Sequence, residues 1–408
     1  MSDFAAASNY PIGAVLLACT QQLLKLDRHD LAAKVMTHLL AENDKSADAH
    51  SLLANILDQL GRWPEALIHW HHAARLAPQS PVAAFNLSLA LLRAGDHERG
   101  SRLYEARIDK PDWTGFSALP SRAAARERLL KPGDPVAGRT IVVLAEQGLG
   151  DCIMFARYVP RLAARGARVL LACSPDLHSI FAQVPGIDQL LAPPPDQPLA
   201  KLNLAALQYD AWVPLLSLPL HMESGQFELV ADGPYLYPDP ARVADWRTRY
   251  AARGEPGARK IGLVWQSNPA GGAALEKSLR PEELAPLLAL DGIDWIALQP
   301  GDAARELAAA HPRVIDPALS SGGLDEFAAA LAATDLLVTV DTMAVHLAGA
   351  IGHPAWLATP FNPHWYWGTA GTTTPWYPTL RLFRQKMRGD WLPTMRDIVE
   401  QLRFHRHG

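Results

Sequence analysis

The sequence predicts an α + α/β protein: a short array of paired helices, then two halves that are each a parallel sheet wrapped by helices. Three observations carry this. Turn, small and large residues recur with a period of 34 in the first quarter: Asp27, Gly61 and Gly95; Ala32, Ala66 and Gly100; Met36, Trp70 and Tyr104. From Arg139 onward, short apolar runs alternate with helical stretches, as in a parallel sheet covered on both faces. The alternation then restarts at the run beginning with Lys260, so two such halves are expected. The expected boundaries are 1–115 for the repeats, 116–138 for a linker, 139–245 for the first half and 246–408 for the second.

The opening apolar run contains no basic leader and is broken by Gln21 and Gln22, so it reads as an amphipathic helix rather than a signal peptide or membrane span. Contact of such a helix with a membrane surface stays open. The clearest repeat is SLLANILDQLGRWPEALIHWHHAARLAP, Ser51 to Pro78. Two helices join at Gly61, Ala66 lets them approach, and Trp63 and Trp70 fill the space between them. The unit resembles a tetratricopeptide repeat through Gly61, Ala66, Ala73 and Pro78. The third unit reads as weaker, because Gly100 replaces alanine and Arg107 stands where Ala73 does. Neighbouring units must stack to bury their apolar faces. The array is either a groove for a peptide or partner protein, or a structural cap or dimerisation surface.

The stretch TGFSALPSRAAARERLLKPGDPVAGR mixes proline, glycine and a charged helical segment, as a linker does. The strand TIVVL then runs into a glycine loop, AEQGLGD. Gly148 and Gly150 are expected to give a tight turn and close backbone approach to a ligand. Asp151 opens a helix there, either capping backbone N–H groups or facing a cleft as a general base. The loop lacks the G-x-G-x-x-G spacing of a dinucleotide site. Further strands are expected in ARVLLAC, GIDQLLAP, YDAWVPLLSLP, KIGLVW, IDWIALQ, RVIDP, LLVTV and PAWLATP.

In such sheets ligands sit at the carboxyl ends of strands. Asn268 and a glycine-rich loop follow KIGLVW; Lys277, Ser278 and Arg280 then precede a helix near Pro281. Cations before a helix N-terminus gain nothing from its dipole, which points to an anion there; the alternative is a solvated loop. Gln299 follows IDWIALQ's apolar core and is a candidate for a base or ribose edge. The strand Leu336–Val340 ends at Asp341, and a helix is expected over Thr342–Ile351, closed by Gly352. Backbone N–H groups at that helix start can hold an anion, with the Thr342 hydroxyl beside them. Asp341 repels phosphate, so it is expected to cap the helix or hold the loop. His346 lies one turn on, on the same face; it either reaches the ligand or packs among Ala344, Ala348 and Gly349.

Composition narrows the function classes. The chain has 408 residues, too many for one core. A net charge of −4 gives no basic field for nucleic acid. Cys19, Cys152 and Cys173 are too scattered for a disulfide framework or zinc cluster, which suggests a reducing, cytoplasmic setting.

Four segments, EQGLGDCIMFARYVPRL, IGLVWQSNP, DTMAVHLAGAIGHPAW and PWYPTLRLFRQ, resemble bacterial proteins that join tetratricopeptide repeats to a glycosyltransferase family 9 (heptosyltransferase-like) domain. The resemblance runs from about residue 15 to 400 and implies a GT-B fold of two Rossmann-like domains. The first would serve the acceptor and the second the nucleotide-sugar donor. It implies no required metal and no cofactor beyond the nucleotide-diphosphate sugar as substrate. Carried over by motif, Asp151 falls on the acidic position after the glycine loop, Lys277 near a cationic phosphate position, and Asp341, Thr342 and His346 on a D-T-x-x-x-H diphosphate motif. The chain departs from relatives in reading AGGAALEKSLR where a more basic loop is usual, and in carrying Met343. Trp365, Trp367, Trp376 and Tyr377 would stack on a sugar or base, or pack an interdomain seam. The final helix, Leu392 to Phe404, would cross back to the first half.

The expected activity is glycosyl transfer, with Asp151 as base, the donor on Asn268, Lys277, Ser278, Gln299, Asp341, Thr342 and His346, and a protein such as a flagellin as one acceptor class. The alternatives are a non-catalytic repeat scaffold on a degenerate GT-B domain, and an epimerase that uses a nucleotide sugar without an acceptor.

Overall fold

The computed structural model describes residues 12–404 except 43, 114–125, 195–196, 198, 200–201, 269–273 and 320–321. The chain divides into two compact units: Met1–Trp113 with His364–Thr369, and Thr114–Pro363 with Ala370–Gly408.

Among the described residues of the first unit, six helices form three antiparallel pairs: α1 (Ile12–Lys25) with α2 (His29–Glu42), α3 (Ala47–Gln59) with α4 (Trp63–Leu76), and α5 (Pro81–Arg93) with α6 (His97–Tyr104). The period is written in the turns. Asp27, Gly61 and Gly95 all take left-handed backbone, with φ of 57°, 70° and 88°. Behind each, the next N–H closes on the same carbonyl of the helix before it: Arg28 on Leu23 at 2.8 Å, Arg62 on Leu57 at 2.9 Å, Asp96 on Leu91 at 3.0 Å. This is the six-to-one bond of a Schellman stop. Ser46 and Ser80 accept the N–H groups of Ala49 and Ala83 at the next helix starts. Ala32 and Ala66 are fully buried, as close helix crossings require. At the third crossing a Cβ on Gly100 would lie 2.7 Å from Leu92 Cγ, so glycine there answers a tighter approach. Arg107 departs from the repeat because α6 ends at Tyr104 and a 3-10 turn, Glu105–Asp109, follows. Its buried guanidinium lies over the Tyr104 ring at 4.5 Å and meets Glu105 at 3.0 Å. A half-buried Asp58–Arg93 pair at 2.8 Å, with Trp70 Nε1 donating to the same carboxylate, ties the second pair to the third.

The second unit begins before the expected 139. Leu129 bridges Trp212, and Leu130 N–H donates to Trp212 O at 2.9 Å. Leu130 and Val136 are buried. The described part of the expected linker therefore belongs to the first sheet. That sheet holds β1 (Thr140–Leu144), β2 (Arg168–Ala172), β3 (Ile187–Leu191) and β4 (Ala211–Pro214), all parallel, in the order β3-β2-β1-β4. Helices α7 (Leu149–Ala156), α8 (Val159–Ala164) and α9 (His178–Phe181) connect its strands.

The boundary expected at 245–246 falls inside one helix, α10 (Pro240–Arg253), capped by Asp239. An unbroken helix moves as one body, and α10 packs against α14 (Gly323–Ala332) of the second half, so that half begins at the α10 cap. Its remaining helices are α11 (Ala274–Lys277), α12 (Ala285–Leu288), α13 (Asp302–Ala310), α15 (Met343–Ala350) and α16 (Leu392–Phe404). Its strands are β5 (Arg259–Val264), β6 (Ile293–Ala297), β7 (Val314–Ile315), β8 (Leu336–Val340), β9 (Ala355–Thr359) and β10 (Leu380–Arg384). All are parallel, in the order β10-β9-β8-β5-β6-β7, the doubly wound order of a Rossmann sheet. The expected class, helical repeats followed by two Rossmann-like halves, is the one observed.

Three further expectations are corrected. β10 was not expected as a strand; it adds to β9 as a sixth. His364–Thr369 clusters with the repeat unit, where Trp365 sets its ring against His97 at 6.3 Å, so 246–408 is not one contiguous domain. The final helix spends its apolar face at home: Met395, Ile398, Val399 and Leu402 lie in the core of the second half, and α16 packs on α12 and β10. No described helix is long and apolar enough to cross a membrane.

Replacing Gly100 by alanine forces a methyl group into Leu92 at the third crossing. Gly100→Ala is expected to destabilise the protein by roughly 1–3 kcal/mol, the usual cost of overpacking. A urea midpoint equal to that of the parent protein would reject this account of the glycine.

Candidate functional site at the strand ends

Each sheet order reverses at one point, between β1 and β4 in the first half and between β5 and β8 in the second. A crevice opens outside the strand ends at such points. Glu146 to Asp151 leave β1 at the first; Gln266 to Asn268 and Asp341 to Thr342 leave β5 and β8 at the second.

The glycine loop works differently from expectation. Gln147 takes the left-handed turn, with φ 62°, while Gly148 is extended at φ −83° and forms the N-cap of α7. Gly150 lies within α7, where a Cβ would sit 2.6 Å from His346 Cδ2. The two glycines thus admit protein groups, the Asp151 carboxylate at Gly148 and the His346 ring at Gly150. Asp151, third in α7, reaches back so that Oδ2 accepts the Gly148 N–H at 3.2 Å. Its Oδ1 is buried and has no hydrogen-bond partner. Burial pushes the carboxyl up to about 6; the Gly148 N–H opposes this, the Asp341 charge adds to it and Lys277 opposes it.

At the end of β8 the roles divide between neighbours. Thr342, not Asp341, caps α15: its Oγ1 accepts the Ala344 N–H at 3.3 Å. Asp341 is buried and holds the loop by an ion pair with Lys277 Nζ at 3.0 Å. His346 is 1% exposed. Its Nδ1 lies 3.3 Å from the Tyr377 hydroxyl, and its ring fills the notch at Gly150 where α7 and α15 pack together. Burial pulls its pKa down to about 4, against the pull of Asp341 in the other direction. It is therefore neutral at pH 7 and covered, which corrects the expectation of a ligand contact; the packing alternative fits.

Two more expected donor contacts are occupied by backbone. Gln299 Oε1 accepts the N–H groups of Trp265 at 3.1 Å and Gln266 at 2.9 Å, clamping the end of β5. Ser278 Oγ accepts the Ser267 N–H at 2.9 Å and donates to Ala274 O at 2.6 Å. Asn268 is exposed beside residues 269–273, so the glycine-rich part of the expected loop lies outside the described residues. Arg280 is exposed and paired with Glu283 at 3.0 Å.

A cavity of about 410 Å³ opens at the ends of β5, β9 and β10. Gln266, Arg280, Phe361, Gln385 and Trp391 are among the residues that line it. Arg388 and Glu276, also in its wall, pair at 2.8 Å. Gln385 Oε1 accepts the Phe361 N–H at 3.0 Å, so the strand and the wall are joined. Phe361, Gln385 and Arg388 escaped sequence reasoning because β10, which places two of them, had not been recognised.

Arg157 also escaped it. Its buried guanidinium donates to Met154 O and Val230 O at 2.8 Å and to Trp376 O at 2.7 Å. It lies over the rings of Tyr235 at 5.0 Å and Tyr377 at 4.5 Å. Of the two expectations for the tail aromatics, Trp376 and Tyr377 follow the seam reading, while Trp365 and Trp367 lie in the repeat unit. The sequence signal available was an arginine in the middle of an otherwise apolar run, CIMFARYV.

No family model matches the chain. Protein FlbA of Caulobacter vibrioides is 27% identical over 453 residues, covering 96% of this chain and 72% of that protein. Three solved structures illustrate the likeness in fold. A glycosyl transferase family 9 protein from Veillonella parvula is 13% identical, covering 68% of this chain and 92% of its own, at TM-score 0.46. The E. coli ADP-heptose lps heptosyltransferase II is 14% identical, covering 65% and 99%, at 0.41. A Thermobaculum terrenum O-GlcNAc transferase is 13% identical, covering 99% and 93%, at 0.32.

Asp151 carries a measurable signature. Its carboxyl ionises near 4 in an unfolded chain and only at about 6 in the fold. Folding favours the neutral form, so this contribution to stability is complete below about pH 4 and lost as pH rises through 6. Asp151→Asn is expected to stabilise the protein at pH 7.5 by on the order of 1–3 kcal/mol, with the gain vanishing near pH 4. A variant that is less stable at pH 7.5 would overturn the assignment. Arg157→Met leaves three buried carbonyls without their donor and is expected to cost about 3–5 kcal/mol, read as a drop in denaturant midpoint.

Proposed function

We propose that the protein is a glycosyltransferase that moves a sugar from a nucleotide-diphosphate sugar to an acceptor hydroxyl. The observation that carries this reading is Asp151: a carboxyl with one buried, unpartnered oxygen and a raised pKa, just past a strand end and near the Asp341–Lys277 pair. A carboxyl that titrates near 6 is tuned for proton transfer at neutral pH. In the step, Asp151 takes the proton of the acceptor hydroxyl and the oxygen bonds to the anomeric carbon. The bond to the diphosphate breaks, and the leaving nucleoside diphosphate keeps the electron pair. The first turn of α15, with Thr342 at its head, supplies backbone N–H groups for that diphosphate. Lys277 offers the nearby positive charge, shared with Asp341. Gln299 and Ser278 act by holding the β5 end in shape, and His346 by setting the α7–α15 crossing. The scheme uses no resident metal or cofactor.

The repeat unit favours a protein acceptor, such as a flagellin or another surface protein. A scaffold without catalysis is the second reading. The ion pair that occupies Lys277 favours it, since an ammonium already neutralised by Asp341 attracts a diphosphate less.

Thermal melts against nucleoside diphosphates and nucleotide sugars separate the two. One ligand at about one hundred times its Kd should stabilise by roughly 2.7 kcal/mol, and Thr342→Ala with Lys277→Met should remove the shift. No shift with any nucleotide favours the scaffold. With an active acceptor, Asp151→Asn should lower kcat about a hundredfold or more while donor binding holds, and parent kcat should rise with pH through about 6. An equal loss of donor binding would remove Asp151 from the role of base.

A further inference from the structure

Helix α1 is apolar on two sides. Leu16, Leu23 and Leu24 lie against the repeat core, and buried Thr20 donates to Leu16 O at 2.9 Å. Among the described residues the other side is open. Val15, Cys19, Gln22 and Leu26 follow one another at steps of four, three and four, the spacing of a coiled-coil seam. Val15 is 44% exposed and Leu26 70% exposed. Together with Val35 of α2 they line a groove of about 830 Å³.

We propose that this face docks on the same face of a second copy, α1 antiparallel to α1 about a two-fold axis beside Cys19 and Gln22. Charge selects this occupant. The only charged residue in α1 is Lys25, in its last turn, and its first turn has no acid. Helices that lie on membranes carry a row of Lys or Arg on the polar face, and helices that choose a different partner carry opposite charges beside the seam. A neutral seam pairs with itself without leaving an unmatched charge. An axis between residues 20 and 21 sets Val15 against the partner's Leu26 and Cys19 against the partner's Gln22. At 1.5 Å per residue the two Lys25 then lie about 14 Å apart along the helices, beyond the screening length at physiological salt. The two Cys19 lie about 4.5 Å apart in the same direction. One helix pair buries less than the roughly 800 Å² per partner of a standard interface, so a micromolar, concentration-dependent dimer is expected.

The test uses the full chain. Light scattering across about 1–200 µM, bracketing that affinity, should show monomer passing to dimer. A short bis-maleimide should cross-link the dimer through Cys19, the exposed cysteine, since Cys152 and Cys173 are buried. Val15→Glu with Leu26→Glu changes only exposed positions; it should keep the melting temperature and abolish both dimer and cross-link, and Cys19→Ser should abolish the cross-link alone. A monomer at every concentration overturns the proposal. So does a dimer that survives the double substitution, or a monomer that sediments with phosphatidylserine vesicles.

Discussion

The buried guanidinium of Arg157 is the contact on which the site depends. An ion taken out of water costs several kcal/mol unless its donors are satisfied. Here the partners are carbonyl oxygens from three separate stretches, Met154, Val230 and Trp376, with the rings of Tyr235 and Tyr377 against it. No carboxylate is among them. The arrangement fixes α7, the connector between the halves and the tail of the second half to one point. Tyr377 passes the constraint on, because its hydroxyl meets His346 and its ring packs where Gly349 has no side chain. The helix that carries Asp151 and the helix that begins at Thr342 are thereby held against each other.

That constraint brings like charges together. Asp151 and Asp341 share one corner, and the ammonium of Lys277 there sits on Asp341. Burial, with the Asp341 charge adding to it, makes Asp151 hold its proton to a higher pH. A fold selected for stability alone would place a neutral residue there, and that cost is the reason the corner is the candidate site. Lys277 is held in the same corner, its ammonium paired with the buried carboxylate of Asp341 at 3.0 Å.

Much of the chain was legible in advance, for identifiable reasons. Strands buried on both faces read as continuous apolar runs, so Thr140–Leu144 and Leu336–Val340 were delimited to the residue. Gly61, Gly95 and Gly352 mark stops because few other residues accept left-handed backbone. β10 was hidden by its setting: LRLFR alternates charge with apolar residues at a sheet edge, among prolines and aromatics. The candidate site was half legible. Asp151, Asp341 and Thr342 were found because helix starts and strand ends have local signatures.

What the sequence determined by itself was local: where strands end, where helices start and stop, the 34-residue period, and which polar residues lie at those ends. Backbone sterics and apolar periodicity act over a few residues, so a single chain displays them. Which of those polar groups remains for a ligand was decided by tertiary structure. Gln299 and Ser278 are taken by backbone N–H groups just past β5, His346 by the notch at Gly150, and Lys277 by Asp341. Each is a contact between segments well apart in the chain, at least eleven residues for Ser278 and its Ser267 partner. Burial, and with it the shift at Asp151, exists only once those segments have come together.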